Sequence, residues 1–352
     1  GPRQVAWLAI SSAACIGVMF LPPGLRTLRR FRYTWLFAGL LLLGATLLLG
    51  VNPSGDPYAP RLWLGFLGVY FQPSEILKLL LVVFLASYLA EKRDVLLDHE
   101  QHVGPLRLPH PAYLAPLVLM WGFCVLLLVW QRDLGTASLF FLIFLAMLYV
   151  STGQVRYLVV GTVLLFAVGV LGYALFDVVR LRVDTWWNPW PEANDRAFQI
   201  VQSLIAVASG GLFGNGVGLG YPEFIPVVHS DFVFAAIAEE WGLPGALAVV
   251  GCLGVLVNRA LRLALIQQER RPFHALLSAG IGVLFGVQSL LIMAGVLKIV
   301  PLTGVTLPFV SYGGSSLLMG FVAVGLLLRI SDSDASPADS LMWRWLSRKE
   351  LP

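Results

Sequence analysis

The sequence predicts an all-α polytopic membrane protein: about nine transmembrane helices and one large extracellular loop carrying interfacial helices. Three observations predict it. Of 352 residues, 58% are hydrophobic and 12% charged, against roughly a quarter charged in soluble domains. Apolar runs recur near 5–21, 34–51, 74–90, 111–130, 134–151, 157–177, 232–257, 274–297 and 309–329, each near the roughly 20 residues a spanning helix needs. The loops between them alternate in charge. One set, with the tail, holds sixteen of the twenty-four Lys and Arg, and the other set holds six, Arg61, Arg132, Arg180, Arg182, Arg196 and Lys298.

Positive residues stay on the cytoplasmic side. The basic set (Arg26 to Arg32, Lys92 to Arg107, Arg156, Arg259 to Arg271, and the tail from Arg329) therefore marks the inner face. Residues 1–330 read as a single transmembrane domain with a large external loop 178–231, and 331–352 as a cytoplasmic tail. An odd number of spans puts the N-terminus outside. The net charge of +4 is then a signature of topology, and nucleic acid is not expected as a partner. Cys15, Cys124 and Cys252 each lie in an apolar run with no CxxC spacing, the pattern of packing residues.

The external loops carry the chemistry. In the first, Arg61 and Trp63 precede Phe71-Gln72-Pro73-Ser74-Glu75. Proline suits the first turn of the next helix, where Ser74 or Glu75 can satisfy free N–H groups. Lys78 follows Glu75 by three residues, on the same helical face. The two form either a self-neutralising ion pair or the charged wall of a cavity, because charges entering a span normally face protein or water. Next, Gln131-Arg132-Asp133 lies between two closely spaced spans. Asp133 can cap the helix that follows, and Arg132 can meet anionic lipid or snorkel.

In the largest loop, Trp186, Trp187 and Trp190 form an aromatic cluster suited to the membrane interface. Phe198, Val201, Leu204, Ile205 and Ala208 recur at helical spacing opposite Arg196, Gln199, Gln202 and Ser203, which predicts an amphipathic helix on the outer leaflet. The run Gly210 to Gly220 lacks the lysine of a phosphate-binding loop. It reads as tight turns or a backbone path close to a ligand.

Asp231 to Arg262 would measure about 48 Å as one helix, longer than the roughly 30 Å hydrocarbon layer. The break falls at Gly242-Leu243-Pro244-Gly245. Asp231 therefore begins a short helix near the outer surface, as a cap or as an ionised carboxylate available as a base. Glu239 lies some 80° around that helix from Asp231 and Glu240 about opposite, so the carboxylates do not form one dyad. The last external stretch, from Lys298 through Thr303, Ser311 and Ser315, joins small residues to hydroxyls. Close packing accounts for the glycines, and a polar pocket would account for the hydroxyls.

Five stretches together resemble the SEDS family (shape, elongation, division and sporulation), the RodA and FtsW type of peptidoglycan polymerase. They are Phe71 to Glu75 with Lys78; Gln131 to Thr136; Gln202-Ser203 with the glycine run; His229 to Phe232 with Glu239-Glu240; and Pro301 to Ser316. They occur in the family's order, and the RodA type is favoured. The family has ten spans with both termini cytoplasmic, so the resemblance implies that this sequence starts at the second. It often has proline where Arg132 stands and threonine where Ser230 stands.

The resemblance implies polymerisation of lipid II on the outer face, with Asp231 as general base for the acceptor 4-hydroxyl and undecaprenyl diphosphate as leaving group. A diphosphate leaves as a stable anion and needs no general acid, unlike the sugar alcohol released by glycosidases. It needs a cation: Lys78, Arg61 or Arg132, or a divalent Mg or Mn ion held by Asp231 or Glu75. Substrate-binding candidates are Glu75, Lys78, Arg61, Trp63, Gln72, Gln131, Arg132, Asp133, Gln202, Ser203, His229, Glu240, Lys298, Thr303, Ser311 and Ser315. Expected partners are lipid II, a class B penicillin-binding protein and membrane lipids. The competing readings are a lipid II flippase and a noncatalytic scaffold for a transpeptidase.

Overall fold

The computed structural model describes residues 2–20, 24–53, 60–66, 69–98, 100–103, 106–109 and 111–332. Each of the nine apolar runs is a helix: α1 (Pro2–Phe20), α3 (Arg32–Leu49), α4 (Pro73–Asp98), α5 (Pro111–Trp130), α6 (Leu134–Thr152), α7 (Val155–Leu175), α10 (Val233–Gln267), α11 (Pro272–Val296) and α12 (Gly314–Asp332). Among the described residues, eight are long and apolar enough to cross a membrane. The remaining one, α5, contributes the shorter apolar stretch Leu114–Trp130. Short helices α2 (Gly24–Arg30), α8 (Asp177–Trp187) and α9 (Phe198–Gly210) complete the set. Beyond Asp332 the tail, with Trp343 and Trp345, lies outside the described residues.

Two small hairpins depart from a purely helical reading. Strand β1 (Leu64–Phe66) pairs antiparallel with β2 (Val69–Phe71), and β3 (Glu100–Val103) with β4 (Leu106–Pro109). Their segments are too short and too polar at the flanks to span, and local pairing satisfies their backbone outside the hydrocarbon.

Helices α4 and α11 form the centre: 83% of the spanning part of α4 is buried, and 72% of α11, against 6% for α1 and for α7. Apolarity does not decide which helices lie inside, since α7, the most apolar of these spans, is among the least buried. Gly280 on α11 allows the closest approach, since a Cβ there would lie 2.6 Å from Val82 on α4. Helix α1 runs parallel to α12, with Trp7 against Gly314, Cys15 against Gly325 and Arg329 donating to the Val18 carbonyl. The peripheral helices keep their Leu, Val and Phe side chains outward, as lipid is no worse a solvent for them than protein is.

Helix α10 breaks where the sequence placed the break: Gly242 has φ 63 and ψ −156 inside it. A Cβ at Gly242 would sit 2.4 Å from the Gly214 nitrogen, so the kink and the glycine-rich loop interlock. The amphipathic helix α9 exists, and its small residues are the ones that face protein. Ser203, Ala206 and Gly210 pack inward with Val201, while Ile205 is exposed. The reason is physical. In a bilayer the small residues mediate helix contact and the bulky apolar ones face lipid. A Cβ at Gly210 would meet the Ala238 carbonyl at 2.0 Å.

Candidate active site

The ends of the spans place one set of loops together. The turn before α4, the α5–α6 turn, α8, the start of α10 and the 298–313 segment all meet at one end of the bundle. Asp231 lies two residues before α10, whose first-turn N–H groups begin at Val233. Its carboxylate does not cap the helix. Instead the preceding residues are clipped to the segment before α12. The Ser311 hydroxyl donates to the Ser230 carbonyl, and Tyr312 N–H donates to the His229 carbonyl at 2.8 Å. The Ser311 oxygen also accepts from Leu307 N–H at 2.8 Å, and the rings of His229 and Tyr312 meet edge to face. Gly304, at φ 72, passes beside the carboxylate, 3.8 Å from Asp231 Oδ2 to where its Cβ would be.

Burial pushes the Asp231 carboxyl above its ordinary value. The Ser230 hydroxyl, the Arg182 guanidinium and His229 pull it back. Arg182, on α8, is itself pushed down by burial and held up by the charges of Asp133 and Asp231. It is the cation that acts on Asp231, and the sequence reading did not nominate it. A signal was available: Arg182 and Trp186 stand at i, i+4 in a stretch read as loop, and in the helix both are half-buried beside buried Thr185.

The proposed cations fall elsewhere. Lys78 is buried, its Nζ 2.7 Å from Glu75 Oε1 and 3.4 Å from Gln288 Oε1. The Gln288 amide donates to the Thr306 carbonyl at 2.7 Å, and Thr306 shares a hydrogen bond with Ser316. A small cavity of about 20 Å³, room for roughly one water, adjoins Glu75, Lys78, Gln288 and Ser316. The pair thus braces α4, α11 and α12 below the site. Arg61 is exposed on the strand-bearing loop, where neighbouring Trp63 pairs with Val51. Arg132 is exposed with φ 61, a conformation closed to the proline the resemblance places there.

Asp133 does cap α6, accepting from Thr136 N–H at 3.1 Å, while its Oδ2 is buried without a partner among the described residues. Burial raises its carboxyl above the usual range. Thr303 Oγ1 is likewise buried and unpartnered, and the Thr303 carbonyl packs on Gly135. Other nominated side chains are committed to the scaffold. Gln131 donates to the Leu43 carbonyl, Ser203 to the Ile200 carbonyl, and Ser315 accepts from Gln72 N–H. Gln202 is half-buried on α9. Glu240 accepts from Gly218 N–H and Glu239 from Tyr221 N–H, each at 3.1 Å. The two glutamates therefore fold the glycine-rich loop. Lys298 offers its carbonyl to the Trp186 indole at 3.1 Å.

Among the described residues, no three His, Cys, Asp or Glu side chains converge to hold a metal. Glu75 is engaged by Lys78, and Asp133 and Asp231 are the carboxylates whose charges act on Arg182.

A helical bundle with eight candidate spans among the described residues that gathers a carboxylate, a guanidinium and hydroxyl-bearing loops at one end belongs to the class of polytopic membrane proteins. The model of the FtsW/RodA/SpoVE cell cycle protein family matches residues 2–336, and the chain belongs to this family of glycosyltransferases. It is 35% identical over 338 residues to the peptidoglycan glycosyltransferase RodA of Mycobacterium leprae, covering 96% of this chain and 71% of the relative. It is 34% identical over 308 residues to a probable peptidoglycan glycosyltransferase FtsW of Geobacter sulfurreducens, covering 87% and 79%. Among solved structures, a chain from a peptidoglycan synthase complex that coordinates polymerization and crosslinking superposes with TM-score 0.73 at 28% identity, covering 95% of this chain and 90% of that one. The crystal structure of the rod shape determining protein RodA of Thermus thermophilus gives TM-score 0.65 at 28% identity, covering 95% and 88%.

Proposed function

We propose that this peptidoglycan glycosyltransferase joins lipid II units with Asp231 as general base and Arg182 as the counter-charge of the leaving diphosphate. One observation carries the reading: Asp231 stands half-buried just before α10, with Ser230 beside it clipped by the Ser311 hydroxyl and the Gly304 backbone passing its Oδ2. The acceptor 4-hydroxyl oxygen attacks the donor anomeric carbon as the carbon–oxygen bond to the diphosphate breaks. The hydroxyl proton passes to the Asp231 carboxylate, and undecaprenyl diphosphate departs as an anion. Arg182 stabilises the charge that develops there, the kind of fixed electrostatic contribution that weighs most in transfer reactions. Glu75 and Lys78 hold α4 against α11 under the site. A Mg or Mn ion recruited with the diphosphate would have Asp231 as its protein ligand.

The charge bias of the loops supports an external active site in the bacterial cytoplasmic membrane with the C-terminus inside. A class B penicillin-binding protein is the expected partner, in keeping with the synthase complex whose polymerase this chain resembles. A flippase would need a polar path between the two ends of the bundle, yet Leu81, Phe84 and Leu85 beneath Lys78 on α4 are fully buried and apolar.

The deciding experiment is purified protein with lipid II in detergent, wild type against Asp231→Asn, with the penicillin-binding protein present and absent. Glycan strands from the wild type that vanish in the variant are expected. A wild type that makes no strands even with its partner would sink the proposal, and lipid translocation that survives Asp231→Asn would favour transport.

A further inference from the structure

An open pocket of about 260 Å³ is lined by Trp186, Trp187 and Lys298. It falls below the roughly 300–1,000 Å³ of drug-sized ligand sites, the scale of one sugar ring rather than a whole disaccharide. Its walls are fixed. The Trp186 indole N–H donates to the Lys298 carbonyl, and the two indoles stand edge to face at 6.1 Å. Lys298 holds φ 58, outside the regions its side chain prefers. Trp187 is 78% exposed, and among the described residues no carboxylate pairs with the Lys298 ammonium.

Two links tie this pocket to the reacting carboxylate. Trp186 follows Arg182 by one turn of α8, about 6 Å along the axis, on the same face. Lys298 turns back on the end of α11, its N–H donating to the Gly295 carbonyl, and precedes Gly304, which passes beside Asp231, by six residues. A pocket one helical turn along α8 from Arg182, walled by indoles and edged by an ammonium, suits a glycan. Indole faces attract the C–H faces of pyranose rings, and the ammonium attracts an acidic substituent.

We propose that Trp186, Trp187 and Lys298 form a saccharide subsite that holds the growing glycan strand, specifically an N-acetylhexosamine ring whose neighbour bears an acidic peptide. This rests on the polymerase reading above. The subsite keeps the strand near Asp231 between additions, so it raises the number of sugars joined before release.

The test is isothermal titration of the detergent-purified full chain with a lipid-free, peptide-bearing tetrasaccharide from muramidase-digested peptidoglycan. The wild type should bind it. Trp187→Ala should weaken binding about tenfold, equivalent to about 1.4 kcal/mol, and shorten the strands made from lipid II. Lys298→Asn, chosen because asparagine tolerates φ near 58, should weaken binding and reduce its salt sensitivity. Binding that is absent in the wild type, or unchanged in both variants, overturns the subsite. So does a loss of binding to vesicles of anionic lipid with tetrasaccharide affinity intact, which assigns the indoles to the membrane surface. Strand synthesis by the wild type in the same preparation checks the polymerase reading separately: strands made normally with tetrasaccharide binding unaffected by Trp187→Ala overturn the subsite alone.

Discussion

Replacing Lys78 by methionine isolates what the buried ion pair contributes. The side chains of Lys78 and Glu75 are 3% and 7% exposed and 2.7 Å apart. Methionine keeps most of the volume, removes the charge, and leaves the Glu75 carboxylate buried with its Lys78 partner gone. Breaking one side of a buried pair costs about 3–5 kcal/mol, while replacing both sides by well-packed neutral groups is often neutral. The Gln288 amide oxygen also loses its donor, though the 3.4 Å separation makes that a smaller loss. Lys78→Met should therefore lower the melting temperature in detergent by on the order of 10 °C, taking about 2–4 °C per kcal/mol. The double variant Glu75→Gln/Lys78→Met should recover most of that. Melting of the single variant within about 2 °C of wild type, or a double variant as unstable as the single, would refute the assignment of the pair as a structural brace. The stabilised double variant then reports function cleanly. It should still lose strand synthesis severalfold, because Gln288 connects the pair to Thr306 and so to the segment that clips Ser230 beside Asp231.

Two further outcomes follow from the site. In the proposed mechanism Asp231 acts when ionised; burial raises its pKa and Arg182 lowers it. Arg182→Met should move the acid limb of the pH–rate profile to higher pH and cut kcat by about 10²–10³, the usual cost of one transition-state donor; a limb that stays put or moves to lower pH contradicts the role given to Arg182. Gly135→Ala places a Cβ 2.0 Å from the Thr303 carbonyl, whereas Gly122 and Gly169 have nothing within 4 Å. The first should cost about 1–3 kcal/mol in strain and slow strand synthesis by displacing the segment that leads to Gly304, while Gly122→Ala and Gly169→Ala serve as neutral controls.

Much of the fold was legible because hydrocarbon imposes a coarse rule that composition alone satisfies. Nine apolar runs became nine helices, and the break in α10 fell on Gly242 because only glycine takes φ 63 with a neighbouring backbone 2.4 Å from its missing Cβ. Which side of α9 packs inward was not legible, for the same reason that the runs were easy: apolarity marks lipid as readily as core, so hydrophobicity does not say which side of a membrane helix packs. Asp231 was legible through its motif and its place at a helix start. Arg182 was not, because its helix is short and polar, and because its importance lies in two carboxylates distant in sequence. Glu240 and Gln131 each sit in a stretch that resembles a functional motif, and in the structure each makes a hydrogen bond to backbone.

The way the site is held explains why so many of its polar residues turned out to be structural. Among the described residues, the non-glycine positions with left-handed backbone are Arg132, Val227, Lys298 and Phe309, and all four lie in the loops at the site's end of the bundle. Each such residue costs on the order of 1–3 kcal/mol and persists only if its surroundings fix it. The surroundings are visible: Phe309 is gripped between the rings of Phe285 and Phe321, Lys298 is bonded to Trp186, and Arg132 is followed by the Asp133 cap. Loops anchored this way place Asp231 and Arg182 before substrate arrives, so the carboxylate needs no reorganisation to meet the acceptor hydroxyl. The hydrogen bonds of Gln131, Ser311 and Glu240 contribute to the same end by holding backbone rather than sugar, and this is why substituting them should disturb rate and stability together, whereas Asp231→Asn should disturb rate alone.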